Sequence, residues 1–483
     1  MNELDKLEPK EVFRFFREIA AIPRGSRNTK QVSDYLADFA RQRGLEYYQD
    51  ELNNVIIRKP ASAGYEDAEP VVIQGHMDMV CEKTPDCPID MEHEGLSLAV
   101  DGDWLYAEGT TLGGDDGIAV AMGLAALDSG SIEHPPLELL CTVDEEIGME
   151  GAQGLDVSHL KGRRLINIDS EDEGILTVSC AGGVSACVML PAATGMTEGV
   201  QCEITVDGLA GGHSGSEIDK EHASANILMG RLLEWIRREA DYALVSIAGG
   251  TKDNAICKRC QASIIADPAD IPAIQRAAAS LEDILKRELK TPDPGVRITV
   301  IPGESCSASA LTKPSLDRVI TWLRLTPTGI QHMSMDIPGL VETSLNLGAL
   351  QVSGDGMKAV YAVRSSVSTR REELCSRLEC LAEHLGGSVK YSGVYPAWEY
   401  RSSSPLRDAA LEAYREQYSA EMSVEAIHAG LECGLFAGKM GPDFDAVSFG
   451  PTMTGVHTSD EKLSISSTAR VWEYLQRLLA KCR

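Results

Sequence analysis

Positive charge is scarce in this chain. Against 73 Asp and Glu stand only 45 Lys and Arg, a net charge of −28 over 483 residues. A nucleic-acid binder needs a basic footprint, and a polybasic membrane-surface protein needs clustered Lys and Arg, so both classes are excluded. Long apolar runs are also missing, and nothing approaches the ~18 uninterrupted apolar residues of a membrane span. The opening MNELDKLEPKEVFRFFREIAAIP is charged throughout and lacks the apolar core of a secretory signal. The 13 cysteines are odd in number and show no repeated framework spacing, so they are read as reduced thiols of a cytoplasmic protein. One CxxC, Cys257 and Cys260 in NAICKRCQASI, has no second pair to complete a zinc ribbon and is read as structural.

What is present is ordinary core material, 43% apolar and 24% charged, in a chain long enough for several domains at roughly 100–200 residues each. Residues 11–44 carry helical periodicity, with Val12, Phe15, Phe16 and Ile19 followed by Val32, Tyr35, Leu36 and Phe39 after a Pro-Arg-Gly-Ser break. Short apolar runs at 71–73, 137–143 and 165–168, with a helix-like stretch at 117–127, read as strand, helix, strand, strand, which is an α/β signature. From about 184 to 395 the pattern changes to two similar α+β units, about 184–293 and 294–395, each reading strand, helix, strand, strand, helix. The α/β character returns after Trp398. The expected architecture is a catalytic domain with a mixed central sheet flanked by helices, built from residues 1–183 and 396–483, and an inserted α+β lid domain at 184–395.

Several apolar runs end directly in His or acidic residues, where α/β sheets bind their ligands. In VVIQGHMDMV, His76 and Asp78 lie two apart and share one side of an extended segment, an arrangement that suits a metal ligand and its orienting carboxylate. In GTTLGGDDGIAVA, Asp115 and Asp116 open an apolar helix and suit either helix capping or a cation. In LLCTVDEEIGMEGA, successive acids at Asp144, Glu145 and Glu146 repel one another beside an apolar run, a cost that a cation relieves. Asp169 ends another buried-looking strand in LINIDSEDEG, and His457 lies far along the chain in GVHTSDEKL. Carboxylates with two imidazoles suit zinc, with manganese or cobalt as substitutes. Two ions ~3.5–4 Å apart would share and acidify a water, and an unligated Glu would move its proton.

In this order the segments HMD, GGDDG, DEEIG, NIDSED and GVHTS resemble the dinuclear zinc peptidases that include carboxypeptidase G, peptidase T, peptidase V and carnosinase. GTTLGGDDG, DEEIGMEGA, GLAGGHSG, TSLNLG and HAGLECG are similar to the Xaa-His dipeptidases among them, and the resemblance covers nearly the whole chain. It implies two zinc ions per chain: His76 and Asp169 on one, Glu146 and His457 on the other, Asp115 bridging. It further implies Asp78 orienting His76, Glu145 as general base and acid, and a cis peptide between Asp115 and Asp116. The implied lid residues are His213, stabilising the oxyanion, with Asn254 and Arg364 contacting substrate and Arg364 pairing with the dipeptide's carboxylate. Glu432 is expected to hold the free amine. The implied activity is hydrolysis of dipeptides, Xaa-His and β-Ala-His (carnosine) among them. A small dipeptide is the expected partner, and a homodimer is left open. Broader aminopeptidase, deacylase or carboxypeptidase activity stays an alternative. A non-catalytic metal-dependent binder is a further one, against which an unligated Glu145 argues. One departure is Asp116, which stands where many relatives carry Gly or Asn. Its charge is expected to face solvent or a loop partner, without a catalytic role. His93, His134, His159, His222, His332, His384 and His428 match no ligand motif and are read as structural or surface residues.

Overall fold

A computed structural model of the protein describes residues 3–483. The chain divides into two compact units, one formed by residues up to Ser179 with Tyr400–Ala426 and Leu431–Arg483, the other by Cys180–Glu399 with Ile427–Gly430.

The first unit is built on an eight-stranded mixed sheet in the order Glu46–Gln49, Val55–Lys59, Leu137–Thr142, Val71–His76, Arg164–Asn167, Asp445–Ser448, Ile175–Cys180, Ser423–Ile427. The strands from Leu137–Thr142 to Asp445–Ser448 run parallel. Val71–His76 and Leu137–Thr142 are buried at every position, as parallel strands covered on both faces must be, which fits the apolar runs at 71–73 and 139–141 within them. The helix Gly114–Asp128 joins these two strands as a crossover and is buried along almost its whole length. A helix apolar all round belongs inside a layer rather than on its surface. It approaches the sheet closely at Gly123, where a Cβ would overlap Leu139. The consequence for the site is directional: His76, the acids after Thr142 and the acid after Asn167 all emerge at the carboxyl ends of adjacent parallel strands.

The second unit is a nine-stranded antiparallel sheet. Its order is Arg297–Leu311, Thr194–Asp207, Cys260–Ala266, Ala243–Gly249, Val341–Ser353, Gly356–Ser365, Gly182–Leu190, Ser388–Tyr395, with Gly329–Met333 also paired to Val341–Ser353. Helices Ala225–Ile236, Ile271–Glu288, Lys313–Leu325 and Ser368–His384 share a single core with these strands. The sheet does not divide where the sequence pattern divides the insert. Arg297–Leu311, read as the opening of the second α+β unit, pairs along its length with Thr194–Asp207 of the first. In return Gly182–Leu190 lies between Gly356–Ser365 and Ser388–Tyr395. Periodicity identifies strand residues and their buried face, but not the partner strand.

Within this core, Trp322 and Tyr361 are fully buried, and the indole N–H donates to the Tyr361 hydroxyl at 2.8 Å, with Thr326 Oγ1 at 2.9 Å from the same oxygen. Tyr361→Phe removes the acceptor and leaves a buried indole N–H unpaired. The expected cost is ~1–3 kcal/mol, read as a lowered urea midpoint for the loss of Trp fluorescence.

Candidate metal centre

Separate stretches of the first unit deliver the polar groups. His76 ends its strand with its side chain 1% exposed, and its Nε2 lies 2.9 Å from Asp115 Oδ1 and 3.8 Å from Asp169 Oδ1. His457, in a turn at φ 64°, brings its Nε2 to 3.2 Å from Asp115 Oδ2 and 3.0 Å from the Glu146 carboxylate. Asp115 therefore offers one oxygen to each imidazole. The ligating atoms of Asp115, Glu146 and His457 all lie within 4.8 Å of one another, as do those of His76, Asp116 and Asp169, and those of His76, Glu145 and Glu146. The peptide between Asp115 and Asp116 is cis.

Asp78 is fully buried and accepts from Ser26 Oγ at 2.8 Å and from the Glu145 N–H at 3.1 Å, with Oδ1 3.5 Å from His76 Nδ1. It is thus fixed on both sides while facing the imidazole, as an orienting carboxylate must be.

The electrostatics describe a site short of positive charge. Burial would raise Asp115, but hydrogen bonds from His457 and His76 outweigh it and hold the carboxyl below the ordinary range. Hydrogen bonds to Asp115 and then Glu146 raise His457 to about 10. Burial pulls His76 down, yet Asp115 and Asp78 drive it well above the usual imidazole range. Asp169 is raised by burial and then by Asp116 and Asp115. Burial, opposed by His76 and reinforced by Glu146 and Asp115, pushes Glu145 up to about 7. Acids forced toward neutrality beside imidazoles forced toward charge are what a divalent cation would reverse. Imidazole nitrogens and carboxylate oxygens on both sides of a shared Asp115 fit a pair of such ions.

The model of peptidase family M20/M25/M40 matches residues 72–481. The chain belongs to peptidase family M20/M25/M40. Members of this M20 family are metal-dependent peptidases, in keeping with the donor set. A relative from Escherichia coli (strain K12), cytosol non-specific dipeptidase, is 36% identical over 481 residues, covering 99% of each chain. The crystal structure of aminoacylhistidine dipeptidase from Vibrio alginolyticus superposes with a TM-score of 0.94 at 34% identity, over 99% of this chain and 98% of that one. Aminopeptidase PepT from Bacillus cereus ATCC 10987 matches over 99% of each chain with a TM-score of 0.56 and 15% identity, which is a likeness of fold alone.

Of the residues expected at the M20 site, His76, Asp78, Asp115, Glu145, Glu146, Asp169 and His457 converge in the first unit. His213, Asn254 and Arg364 belong to the second unit. There His213 Nδ1 accepts from the N–H groups of Gly215 and Ser216 at 3.2 and 3.1 Å, so in the neutral ring the proton sits on Nε2, which is then a donor. Burial and then Arg364 hold its pKa down, so the ring is neutral. Asn254 is exposed beside it, its carbonyl accepting from Ser214 N–H at 2.8 Å. Arg364 donates to Tyr395 Oη at 2.8 Å, and its buried Nε has no hydrogen-bond partner among the described residues.

Two expectations are corrected. Asp116 does not face solvent: it is fully buried, with Oδ2 accepting from the His76 N–H at 3.3 Å, because the turn after Asp115 carries it back under the sheet end. Glu432 is not placed to meet an amine. It is fully buried, and its Oε2 accepts from Gln74 Nε2 at 2.5 Å and Thr142 Oγ1 at 2.7 Å, which ties it to two strands of the sheet. Sequence reasoning missed Ser26, Arg24 and Glu461. The first two lie in what reads only as a helix break, and Glu461 follows His457 by four residues with no local sign of its burial.

Glu432 supplies a pH test. Burial and the Glu145 charge push it up to about 8, above the 4.5 of an unfolded Glu. A raised folded-state pKa stabilises fully below the unfolded value and loses that stability as pH rises through the folded one. Metal-free protein should therefore lose stability between pH 4.5 and 8 relative to Glu432→Gln, by on the order of a few kcal/mol, in urea unfolding compared across that range.

Proposed function

We propose that this M20 peptidase hydrolyses dipeptides, Xaa-His and β-Ala-His among them, with two zinc ions replaceable by manganese or cobalt. The observation that carries this reading is Asp115, whose two oxygens face His76 at 2.9 Å and His457 at 3.2 Å beside an acid, Glu145, pushed up to about 7. The names of the Escherichia coli and Vibrio alginolyticus relatives support the substrate class and, for the former, a cytoplasmic location.

His76 and Asp169 would hold one ion, Glu146 and His457 the other, with Asp115 shared. When bound, the ions supply Lewis acidity, lowering the pKa of a water towards ~7 and polarising a peptide carbonyl. Glu145 takes the proton of the attacking water and returns it to the departing amine, a double duty that suits an unligated carboxylate beside the ions. Asp78 keeps the His76 ring turned to its ion. In the inserted lid unit, neutral His213 offers an N–H to the developing oxyanion. Arg364 offers its guanidinium to the dipeptide's carboxylate, and Asn254 contacts the same substrate.

Glu145→Ala should lower turnover of a dipeptide by roughly 10²–10⁴-fold while elemental analysis still finds both ions. Near-normal turnover would sink the role of Glu145. Asp169→Ala should instead lose metal. Across a panel of Xaa-His, Xaa-Ala, β-Ala-His and a tripeptide, dipeptides should be cleaved and the tripeptide should not. A tripeptide turned over equally fast would favour a broader aminopeptidase.

A further inference from the structure

Among the charged side chains of the first unit that are almost wholly buried without serving as ligands are Arg24 and Glu461, each 2% exposed. Both grip the 112–115 loop. Glu461 Oε2 accepts from the N–H groups of Leu112 and Gly113 at 2.8 and 3.1 Å, and Oε1 from those of Gly114 and Asp115 at 2.7 and 3.4 Å. Arg24 Nη2 donates to the Gly113 carbonyl, while Nη1 donates to the carbonyls of Met77 and Asp78 at 2.9 and 3.0 Å. The loop is held at its amide side by a carboxylate and at a carbonyl by a guanidinium. The two grips come from different places. Arg24 ties the loop to the segment that follows His76, and Glu461 ties it to the segment that carries His457.

The glycines of GGDDG answer to these side chains. A Cβ at Gly117 would lie 2.5 Å from Arg24 Nη2, and one at Gly114 would lie 3.3 Å from Glu461 Oε1. Gly113, at φ 62°, adopts the left-handed region that presents its N–H and carbonyl to the two grips.

We propose that Arg24 and Glu461 are positioning residues, a buried clamp that fixes Asp115 between His76 and His457 and thereby sets how tightly the pair of metal positions binds. This rests on the dinuclear reading above. A carboxylate has two oxygens for four N–H groups, and no neutral side chain of that size matches it. Glu461→Gln keeps the volume but turns an NH2 group toward N–H donors. Arg24→Lys keeps the charge but loses the fork that spans three carbonyls.

The test is zinc titration of the metal-free proteins by calorimetry, together with circular dichroism, thermal melting and dipeptide kinetics. The expected result is folded variants in which at least one zinc Kd rises tenfold or more. With zinc restored, kcat should fall while KM stays within threefold. Zinc Kd values within twofold of wild type in folded Glu461→Gln, with only a lowered melting temperature, would overturn the clamp and leave a purely structural role. Should Glu461→Gln fail to fold, Arg24→Lys decides by the same criterion. A wild type that takes up a single zinc contradicts the dinuclear reading instead, and the clamp is then decided by whether that one Kd moves in the variants.

Discussion

Asp115 sits where two imidazoles meet, His76 buried and His457 exposed, and the remaining carboxylates gather around it with little of their surface in water. Like charges at such separations repel strongly once the dielectric falls, and burial adds to the cost of each ionised group. The chain meets part of this cost with its own groups, raising both imidazoles toward the charged form and Glu145 and Asp169 toward the neutral one. The arrangement is comfortable only with cations present, and most of the neighbouring structure serves to keep it assembled.

The sheet supplies the first part of that assembly. Parallel strands covered on both faces end together, so residues distant in sequence arrive at one edge without long excursions of the backbone. Buried polar side chains supply the second part. Ser26 and the Glu145 N–H hold Asp78, Gln74 and Thr142 hold Glu432, and Glu461 satisfies a run of loop amides. Each of these groups spends its hydrogen bonds on the frame of the site rather than on substrate. The inserted unit prepares His213 in the same manner, since backbone N–H groups on Nδ1 leave a neutral ring with its proton on Nε2.

Much of this is legible in the residues alone, because the informative signals are local. An apolar run that stops at HMD, DEE or NIDSED announces both a buried strand and a polar group at its end. What depends on tertiary placement is not legible. Asp116 looks like surplus surface charge, yet the turn after Asp115 buries it against the His76 N–H. Glu432 has the chemistry of an amine acceptor but is tied to strands whose partner residues lie 358 and 290 positions earlier in the chain. Arg24 reads as part of a loop break. In the insert, helices and strands follow their periodicity, while the pairing of Arg297–Leu311 with Thr194–Asp207 crosses the boundary that the repeat pattern suggests. Local pattern fixes type and face; partner choice is a matter of long-range packing.

The central claim is that one carboxylate is shared by two metal ions. Crystals grown with zinc, with anomalous differences collected at the zinc edge, test it most directly. Two peaks flanking Asp115, one against His76 and Asp169 and the other against Glu146 and His457, are the predicted result. A single peak, or zinc bound away from Asp115, would contradict it.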